Sequence, residues 1–298
     1  MQTRSPQYAR GIDVSAYQGS VDWTQVAGAG ISFAFIKATE GQTLTDPQFA
    51  VNYPDAQAAG ILRGSYHYAQ PGADTAVAEA DFYVKTVKAA GGFNGLPPVL
   101  DIESTGGLDN ATLLTWINQW MQEVRTQTEM QPILYTNPNF ASTHLDPSLG
   151  TIPLWVANYN VTHPADASGW TAWTFWQYSD TGTVPGIKGY VDLDVYLGSV
   201  SALRSAYPTS ALRGQTYTEQ QVFVQNQPFK AIAVDGVTYV IWSALVAVST
   251  VYAYKGSGLM DIDGTLVQGI IYQGNTYLPW YSLHSGITAT RVFSFTAP

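Results

Sequence analysis

The sequence Pro-Val-Leu-Asp-Ile-Glu at residues 98–103 ends an apolar run with two carboxylates that are two positions apart. Because alternate side chains of an extended strand share a face, Asp101 and Glu103 are expected to project together, with Ile102 on the opposite side. Two neighbouring carboxylates cannot both ionise freely, so the pKa of one should rise. The pattern favours glycosidic-bond cleavage, which needs a proton donor beside an anion. The alternative is a strand end whose acids cap the next helix or face solvent.

Short apolar runs alternate with helix-like stretches over the first two-thirds of the chain. Helical spacing of apolar residues predicts helices over residues 73–89 and 111–126, with Asp109 or Asn110 capping the second. We predict eight strands, at Gly11–Ser15, Phe33–Lys37, Gly64–Tyr68, Pro98–Glu103, Ile133–Thr136, Leu154–Ala157, Thr174–Tyr178 and Val191–Val195. This alternation predicts an α/β fold, a (β/α) TIM-like barrel that is irregular because its later strands are separated by less helix.

Polar side chains recur near the ends of these predicted strands. In chain order they are Asp13, Lys37 with Glu40, His67, Asp101 with Glu103, Tyr135, Asn158 with Tyr159, Gln177, and Asp192 with Asp194. Active sites of (β/α) barrels form at the carboxyl ends of the strands. Repetition at nearly every strand end therefore predicts one acidic site there. His67 is expected to be a structural histidine rather than a catalyst.

The composition of the 298-residue chain excludes several classes of function. Apolar residues make up 46% and charged residues 12%, which is typical of a globular protein with a large core. The net charge of −9 argues against a nucleic-acid partner, and no apolar run is long enough to predict a membrane span. The chain has no cysteine and its four histidines lack metal-ligand spacing, so we expect no disulfide, no metal site and no cofactor.

Composition changes near residues 206–214, which predicts a domain boundary. We assign residues 1–207 to the barrel and residues 208–298 to a small β-rich domain. The first part carries 18 acidic residues, whereas the second carries four, which four basic residues balance. The second part also repeats weakly with an offset of 38 residues, since 231–245 resembles 269–283. Each copy predicts a hairpin, with a turn at residues 235–236 or 274–275.

Seven sequence blocks resemble the glycoside hydrolase family 25 lysozymes, the Chalaropsis-type muramidases. The blocks are GIDVS at 11–15 followed by YQG at 17–19 and DW at 22–23, FAFIKATEG at 33–41, GSYHYA at 64–69, LDIE at 100–103, WVANY at 155–159, FWQY at 175–178 and VDLD at 191–194. The resemblance covers about residues 8–200, and the blocks agree with the family in order and spacing.

This resemblance implies a modified (β/α) barrel that cleaves the β-1,4 bond between N-acetylmuramic acid and N-acetylglucosamine in peptidoglycan. By position, Glu103 would be the general acid, and Asp101 would orient the substrate's acetamido group or stabilise positive charge. Asp13 and Asp192 would complete the acidic floor. The residues expected to bind substrate are Lys37, Tyr66, Tyr135, Trp155, Asn158, Tyr159, Gln177 and Asp194. Whether a protein carboxylate or the substrate's own acetamide is the nucleophile stays open.

Some of these assignments have alternatives. Lys37 fits a sugar contact and a buried partner for the acids equally well, and Asp194 could point at the barrel wall. A chitinase-like glycosidase would use a similar barrel, although its catalytic strand would usually carry a longer acidic series than Asp-x-Glu. A non-catalytic glycan-binding protein on the same fold would be expected to have lost at least one of the carboxylates.

The C-terminal domain is expected to bind a cell-wall polymer. A tethered binding module raises the effective concentration of a hydrolase on an insoluble polymer, whereas a structural or dimerisation domain is the alternative. The aromatic residues expected to be exposed there are Trp242, Tyr277, Trp280 and Tyr281. Residues 1–10 are polar and lack the apolar segment of a secretory signal. This favours a phage-type endolysin made in the host cytoplasm and released to the cell wall, with a secreted lysozyme as the alternative.

Overall fold

The computed structural model divides into two compact units, Met1–Leu203 and Arg204–Pro298. The division falls a few residues before the predicted boundary, and the roles predicted for the two domains stay predictions. The structure describes residues 1–207, 218–224, 227–234, 237–241, 252–256, 259–262, 265–268, 270–272, 275–279 and 292–294.

The first unit is built around a closed barrel of eight strands. Its strands are β1 (Arg10–Val14), β2 (Phe33–Glu40), the short β3 (Leu44–Thr45), β4 (Leu62–Tyr68), β5 (Val99–Asp101), β6 (Ile133–Thr136), β7 (Leu154–Ala157), β8 (Phe175–Gly182) and β9 (Val191–Tyr196). Around the barrel the order is β1-β9-β8-β7-β6-β5-β4-β2, and pairing of β2 with β1 closes it, while β3 only forms a hairpin with β2. The predicted α/β barrel and its eight strands are confirmed.

The barrel is irregular because its last strand runs the other way. Strand β9 pairs antiparallel with both of its neighbours, β8 and β1, whereas the other barrel pairs are parallel. The expectation that each polar residue sits at a carboxyl end is therefore wrong for this strand. The register places Asp192, near the start of β9, directly opposite Asp13 near the end of β1. Antiparallel pairing thus brings both carboxylates to the same mouth of the barrel.

Six α-helices lie within residues 1–207. They are α1 (Trp23–Gly28), α2 (Phe49–Ala58), α3 (Ala76–Ala89), α4 (Asn110–Thr128), α5 (Pro138–His144) and α6 (Val200–Ala206). The two predicted helices correspond to α3 and α4, and Asp109 is the residue that caps α4, because its side chain accepts from the Thr112 N–H at 2.8 Å. Helix α2 escaped prediction because Pro54, a residue that usually ends a helix, lies inside it.

Buried side chains form two layers, one outside the barrel wall and one inside. Outward-facing residues such as Ile12, Ile36 and Leu100 pack against apolar residues of the helices. The inside is filled mainly by aromatic rings: Phe35 stacks on Trp155 with centroids 4.4 Å apart, and the Phe175 ring lies 5.1 Å from Phe35. Full burial of one such side chain contributes about 2–3 kcal/mol from apolar area alone. The barrel therefore has a packed interior that supports the residues at its mouth.

Beyond residue 207, the described residues of the second unit all lie in β-strands. Its strands are β10 (Thr218–Val224), β11 (Gln227–Val234), β12 (Val237–Ile241), β13 (Tyr252–Gly256), β14 (Leu259–Ile262), β15 (Thr265–Gln268), β16 (Ile270–Tyr272), β17 (Asn275–Pro279) and β18 (Val292–Ser294). They form a six-stranded and a three-stranded sheet. Both copies of the sequence repeat contribute an antiparallel pair, β11 with β12 and β16 with β17. The predicted turn residues 235–236 and 274 lie outside the described residues.

Four aromatic side chains of the C-terminal domain are expected from the sequence to be exposed. Tyr277, expected to be exposed, is 4% exposed and therefore buried; it lies on β17, which pairs with β12 and β16. Trp242, Trp280 and Tyr281 lie outside the described residues.

No helix of the described ranges is both long and apolar enough to cross a bilayer.

Candidate active site

Asp101 and Glu103 stand at the mouth of the barrel, at the end of β5 and just beyond it. Asp101 is 5% exposed, whereas Glu103 is exposed to solvent. Burial and then the nearby charge of Glu103 raise the pKa of Asp101 well above its usual value. The two carboxyls are close enough to share a proton, and Asp101 Oδ1 has no hydrogen-bond partner among the described residues. Burial therefore favours the protonated form of Asp101, which lies directly beside the exposed Glu103.

A second group of carboxylates lies across the mouth, on β1 and β9. Burial, with the charges of Asp194 and Asp192, raises the pKa of Asp13 well above its usual value. Burial and the charge of Asp180 raise the pKa of Asp192 to about 6. Asp194 is completely buried and accepts a hydrogen bond from the Trp155 indole N–H at 2.8 Å. Like charges that face each other in this way favour shared protons at mildly acidic pH.

Gln177 on β8 connects this acidic group to two tyrosines. Its Nε2 donates to Asp13 Oδ2 at 2.6 Å. Its Oε1 accepts from the hydroxyls of Tyr135 at 2.8 Å and Tyr159 at 2.6 Å. One buried amide therefore fixes the position of an acid and of two hydroxyl-bearing rings.

The lysine of the site is paired with an acid. Lys37 Nζ donates to Glu40 Oε2 at 2.7 Å and lies 4.9 Å above the centre of the Tyr68 ring. Gln70 Nε2 donates to the other oxygen of Glu40 at 3.0 Å. Lys37 also lowers the pKa of Asp101 in part, against the larger effects of burial and Glu103. Of the two predicted roles for Lys37, partner of an acid is the one that its contacts favour.

His67 lies behind the site, between strand β4 and helices α3 and α4. Its Nε2 is 2.7 Å from Glu79 Oε2, its Nδ1 is 2.8 Å from Thr39 Oγ1, and its ring stacks on Trp120. His67 and Glu79 are both fully buried, and burial lowers the pKa of His67. Glu79 Oε2 also accepts from the Gln70 N–H at 3.1 Å. These contacts fit the predicted structural role.

The loop that follows Glu103 approaches the neighbouring loop closely at Gly106. Gly106 and Gly107 both have positive φ angles, of 57° and 84°. A Cβ on Gly106 would overlap the carbonyl oxygen of Pro71, whereas a Cβ on Gly107 would meet nothing within 4 Å. Trp116 Nε1 donates to the Asp74 carbonyl at 3.1 Å and anchors the same neighbouring loop on α4. The segment after Glu103 therefore packs closely against the loop at residues 71–74.

A cavity of about 620 Å³ opens beside Glu103. It is lined by Glu103, Tyr135, Asn137, Pro138, Asn139, Ser142, Ala157, Asn158, Tyr159, Ala165 and Asp166. Tyr135, Asn158 and Tyr159 were predicted to bind substrate. Asn137, Asn139, Ser142 and Asp166 were not, although Asn137 directly follows the fifth predicted strand and could have been found by that position.

The predicted substrate contacts divide into surface and interior. Tyr66 and Lys37 are half-buried at the mouth, so they keep access to it. Trp155, Gln177 and Asp194 are 1%, 3% and 0% exposed. These three lie beneath the mouth and hold the residues above them by packing and hydrogen bonds. Their predicted contact with sugar stays a prediction.

Comparisons with known proteins point to one family. A family model described as glycosyl hydrolases family 25 matches residues 12–187. Lysozyme M1 of Streptomyces globisporus is 41% identical over 207 residues, covering 65% of this chain and 69% of that protein. The N,O-diacetylmuramidase of a Chalaropsis species is 35% identical over 212 residues, covering 65% and 97%. The crystal structure of a bacterial lysozyme from Streptomyces coelicolor is 39% identical with a TM-score of 0.62, covering 67% of this chain and 96% of that one.

Proposed function

The chain belongs to the glycosyl hydrolases of family 25, and from that premise we propose how its residues act. It is a muramidase, a lysozyme that hydrolyses the β-1,4 bond between N-acetylmuramic acid and N-acetylglucosamine in bacterial peptidoglycan. The predicted role as a phage-type endolysin stays a prediction.

Glu103 is the proton donor in this proposal. The observation that carries it is the contact of an exposed Glu103, which lines the open cavity, with a buried Asp101 whose pKa is raised. A leaving sugar oxygen in the cavity can reach Glu103 but not the buried carboxyl. Asp101 holds a proton close to Glu103. It can pass that proton to Glu103 after Glu103 has protonated the leaving oxygen. General acids in this position typically accelerate a reaction by about 10²–10⁴-fold.

Asp192 and Asp13 supply negative charge across the mouth. Because the pKa of Asp192 is about 6, its carboxyl is largely ionised at neutral pH. An oxocarbenium-like transition state gains positive charge, so a fixed carboxylate opposite Glu103 stabilises the transition state more than the substrate. Asp13 is held in place by Gln177 and shares protons with its neighbours on β9.

Glycan contacts in the cavity come from rings and amides. Tyr159 and Tyr135 present hydroxyl-bearing rings whose orientation Gln177 fixes. Asn158 lies at the cavity wall, where its Oδ1 already accepts from the Ala165 N–H at 3.1 Å, which leaves its amide N–H group to donate. Flat rings with nearby hydrogen-bonding groups suit sugars, whose faces are apolar and whose edges carry hydroxyls.

The test is release of new reducing ends from purified peptidoglycan, with mass analysis of the products. We expect muropeptides that end in reducing N-acetylmuramic acid from the native chain, and about 10²-fold or greater loss for Glu103→Gln. Glu129→Gln is the matched control, because Glu129 is exposed at the end of α4, away from the mouth. Equal activity of the two variants would show that Glu103 is not the acid.

We also propose that the second unit binds a cell-wall polymer. Its balanced charge and its β-structure differ from those of the acidic barrel, which supports a separate role. The experiment uses the full chain with Glu103→Gln, so that no wall is digested, and measures sedimentation with intact walls. Trp242→Ala and Trp280→Ala are each expected to weaken sedimentation. Unchanged sedimentation of a folded double variant would contradict the proposed role of these tryptophans.

A further inference from the structure

Two exposed tyrosine rings lie at the rim of the barrel. Within residues 1–207, Tyr17 and Tyr190 are 87% and 60% exposed, and every other aromatic side chain there is buried or half-buried. This unit otherwise uses its rings for packing, in the barrel interior and under the helices. The two exceptions therefore need an explanation other than the core.

Both rings flank the same pair of carboxylates. Tyr17 lies in the single helical turn Ala16–Gln18 that follows β1, just beyond Asp13. Tyr190 directly precedes β9, two positions before Asp192. Because β9 runs antiparallel to β1, the end of β1 and the start of β9 lie at the same mouth. The exposed rings are thus neighbours of the acidic group in space as well as in sequence.

The backbone under the two rings is held by hydrogen bonds. Asp46 Oδ2 accepts from the Ala16 N–H at 2.8 Å, and Ser15 and Gln18 bond reciprocally across the turn. Gln18 Nε2 also donates to the Tyr190 carbonyl at 3.4 Å, which connects the two segments. A surface whose backbone is already ordered loses less conformational entropy on binding than a free loop does.

The strand order places these rings opposite the cavity. Going around the barrel, β1 and β9 lie across from β6 and β5, and the 620 Å³ cavity is lined by residues at or after the ends of β5, β6 and β7. A polymer that lies in the cavity and crosses the carboxylates must leave the mouth over the β1–β9 side. The rings are at the exit of that path.

We propose that Tyr17 and Tyr190 form a sugar-binding platform for the glycan strand, on the far side of the carboxylates from the cavity. The inference rests on the proposed function, because its occupant is the same peptidoglycan strand. The apolar face of a sugar ring packs on the flat face of a tyrosine, and the phenol hydroxyl remains free to bond the sugar's edge. The platform holds the strand across the mouth and takes no part in the bond cleavage.

The test compares kinetic constants on soluble polymeric glycan strands. The double variant Tyr17→Ala/Tyr190→Ala is expected to raise KM about tenfold with kcat unchanged, since each ring contributes roughly a threefold effect. Tyr17→Trp is expected to keep KM near the native value, because a flat ring is retained. Val77→Ala is the control, since Val77 is also exposed but lies on the outer helix α3. A second measurement, sedimentation with insoluble peptidoglycan, uses the same variants in the Glu103→Gln background.

The outcomes separate this inference from the proposed function. If the native chain is active and the double variant keeps its KM and its sedimentation, the platform is overturned and the muramidase assignment of the site stands. If Val77→Ala raises KM equally, the effect is general to exposed apolar residues, and the platform is again overturned. If the native chain releases no reducing ends from any wall, the proposed function fails and the platform fails with it.

Discussion

Two groups of ionisable residues, one behind strand β4 and one at the mouth of the barrel, are built on opposite plans. Behind the strand, His67 meets Glu79, so an acid faces a base and each has further hydrogen-bond partners. At the mouth, Asp13, Asp101 and Asp192 face other carboxyls. Burial lowers the pKa of His67 and raises the pKa of the three acids at the mouth, so each of these side chains is pushed towards its neutral form.

The contrast separates residues that stabilise the fold from residues that perform chemistry. A complementary pair lowers the free energy of the folded state only if both members remain, because the loss of one leaves the other buried and unpaired. A group of like charges does the reverse, since removing one member relieves repulsion. Stability should therefore depend on the pair behind β4, and activity on the acids at the mouth.

The largest effect is expected for Asp101→Asn. This change removes the proton store beside Glu103, and we expect turnover to fall by about 10²-fold or more. The free energy of unfolding should stay the same or rise, because one of two facing carboxyls is lost. Reducing-end assays give the first quantity and urea unfolding followed by tryptophan fluorescence gives the second. A strongly destabilised Asp101→Asn would break the comparison.

The opposite pattern is expected for Glu79→Ala. This change leaves the His67 Nε2 and the Gln70 N–H as buried donors without an acceptor, and we expect about 3 kcal/mol of lost stability. Activity of the molecules that stay folded should remain within a few fold. Asp81→Ala on the same helix is the control, because Asp81 is exposed and its loss should cost less than about 0.5 kcal/mol. Equal urea midpoints for the two variants would contradict the structural role.

A smaller effect on both quantities is expected for Gly106→Ala. The new Cβ would overlap the Pro71 carbonyl, so the loop after Glu103 must shift, and we expect about 2 kcal/mol of lost stability with a fall in kcat. Gly107→Ala has the same left-handed backbone but open space, so it should lose only about 1 kcal/mol and keep kcat. Both glycines have a left-handed backbone, but only Gly106 lacks room for a Cβ. If Gly106→Ala and Gly107→Ala have the same kcat, the contact between Gly106 and Pro71 does not position Glu103.

The smallest effect concerns the pH dependence of stability. The pKa of Asp192 rises to about 6 on folding, from an unfolded value of about 3.9, so the folded state binds the extra proton. Its contribution to stability is complete below about pH 4 and is lost as the pH rises through about 6. The lowered pKa of His67 acts in the opposite sense, because its contribution is present above the unfolded pKa and lost as the pH falls.

The difference in Tm between the native chain and Asp192→Asn isolates the contribution of Asp192 to the pH dependence of stability. We expect Asp192→Asn to gain Tm relative to the native chain by about 2 °C between pH 4.5 and pH 7.5, a small shift because Asp192 is partly exposed to solvent. The neighbours that act on Asp192 are Asp180, Asp13 and Glu103. Asp55→Asn, at an exposed position of α2, should give a difference that does not change with pH. A constant difference for Asp192→Asn would show that its pKa is not raised.

Much of this arrangement could be predicted from the sequence, because strands and strand-end acids have local signatures. The eight barrel strands and the pairing of Asp101 with Glu103 on one face follow from alternation over a few residues. The direction of β9 could not be predicted, since a strand's own residues do not determine whether its neighbours run parallel. The position of Asp192 opposite Asp13 depends on that direction.

The depth of each side chain inside the barrel also could not be predicted from the sequence. Trp155 and Tyr159 are close in sequence and chemically similar, yet one is buried beneath the mouth and the other lines the cavity. Which ring reaches the surface depends on where the strand ends, and β7 ends at Ala157, between them. The platform tyrosines show the same limit, because only the fold reveals which of many rings remains exposed.

The amide of Gln177 determines which oxygen of Asp13 can carry a proton. Its N–H group occupies Oδ2, so a proton taken up by Asp13 must reside on the other oxygen, where sharing with the acids of β9 takes place. Two tyrosine hydroxyls donate to the amide oxygen and keep the amide from turning over. A side chain that never titrates thus gives the acidic group a direction: protons enter and leave Asp13 on the β9 side, while Oδ2, which accepts from Gln177, stays unprotonated.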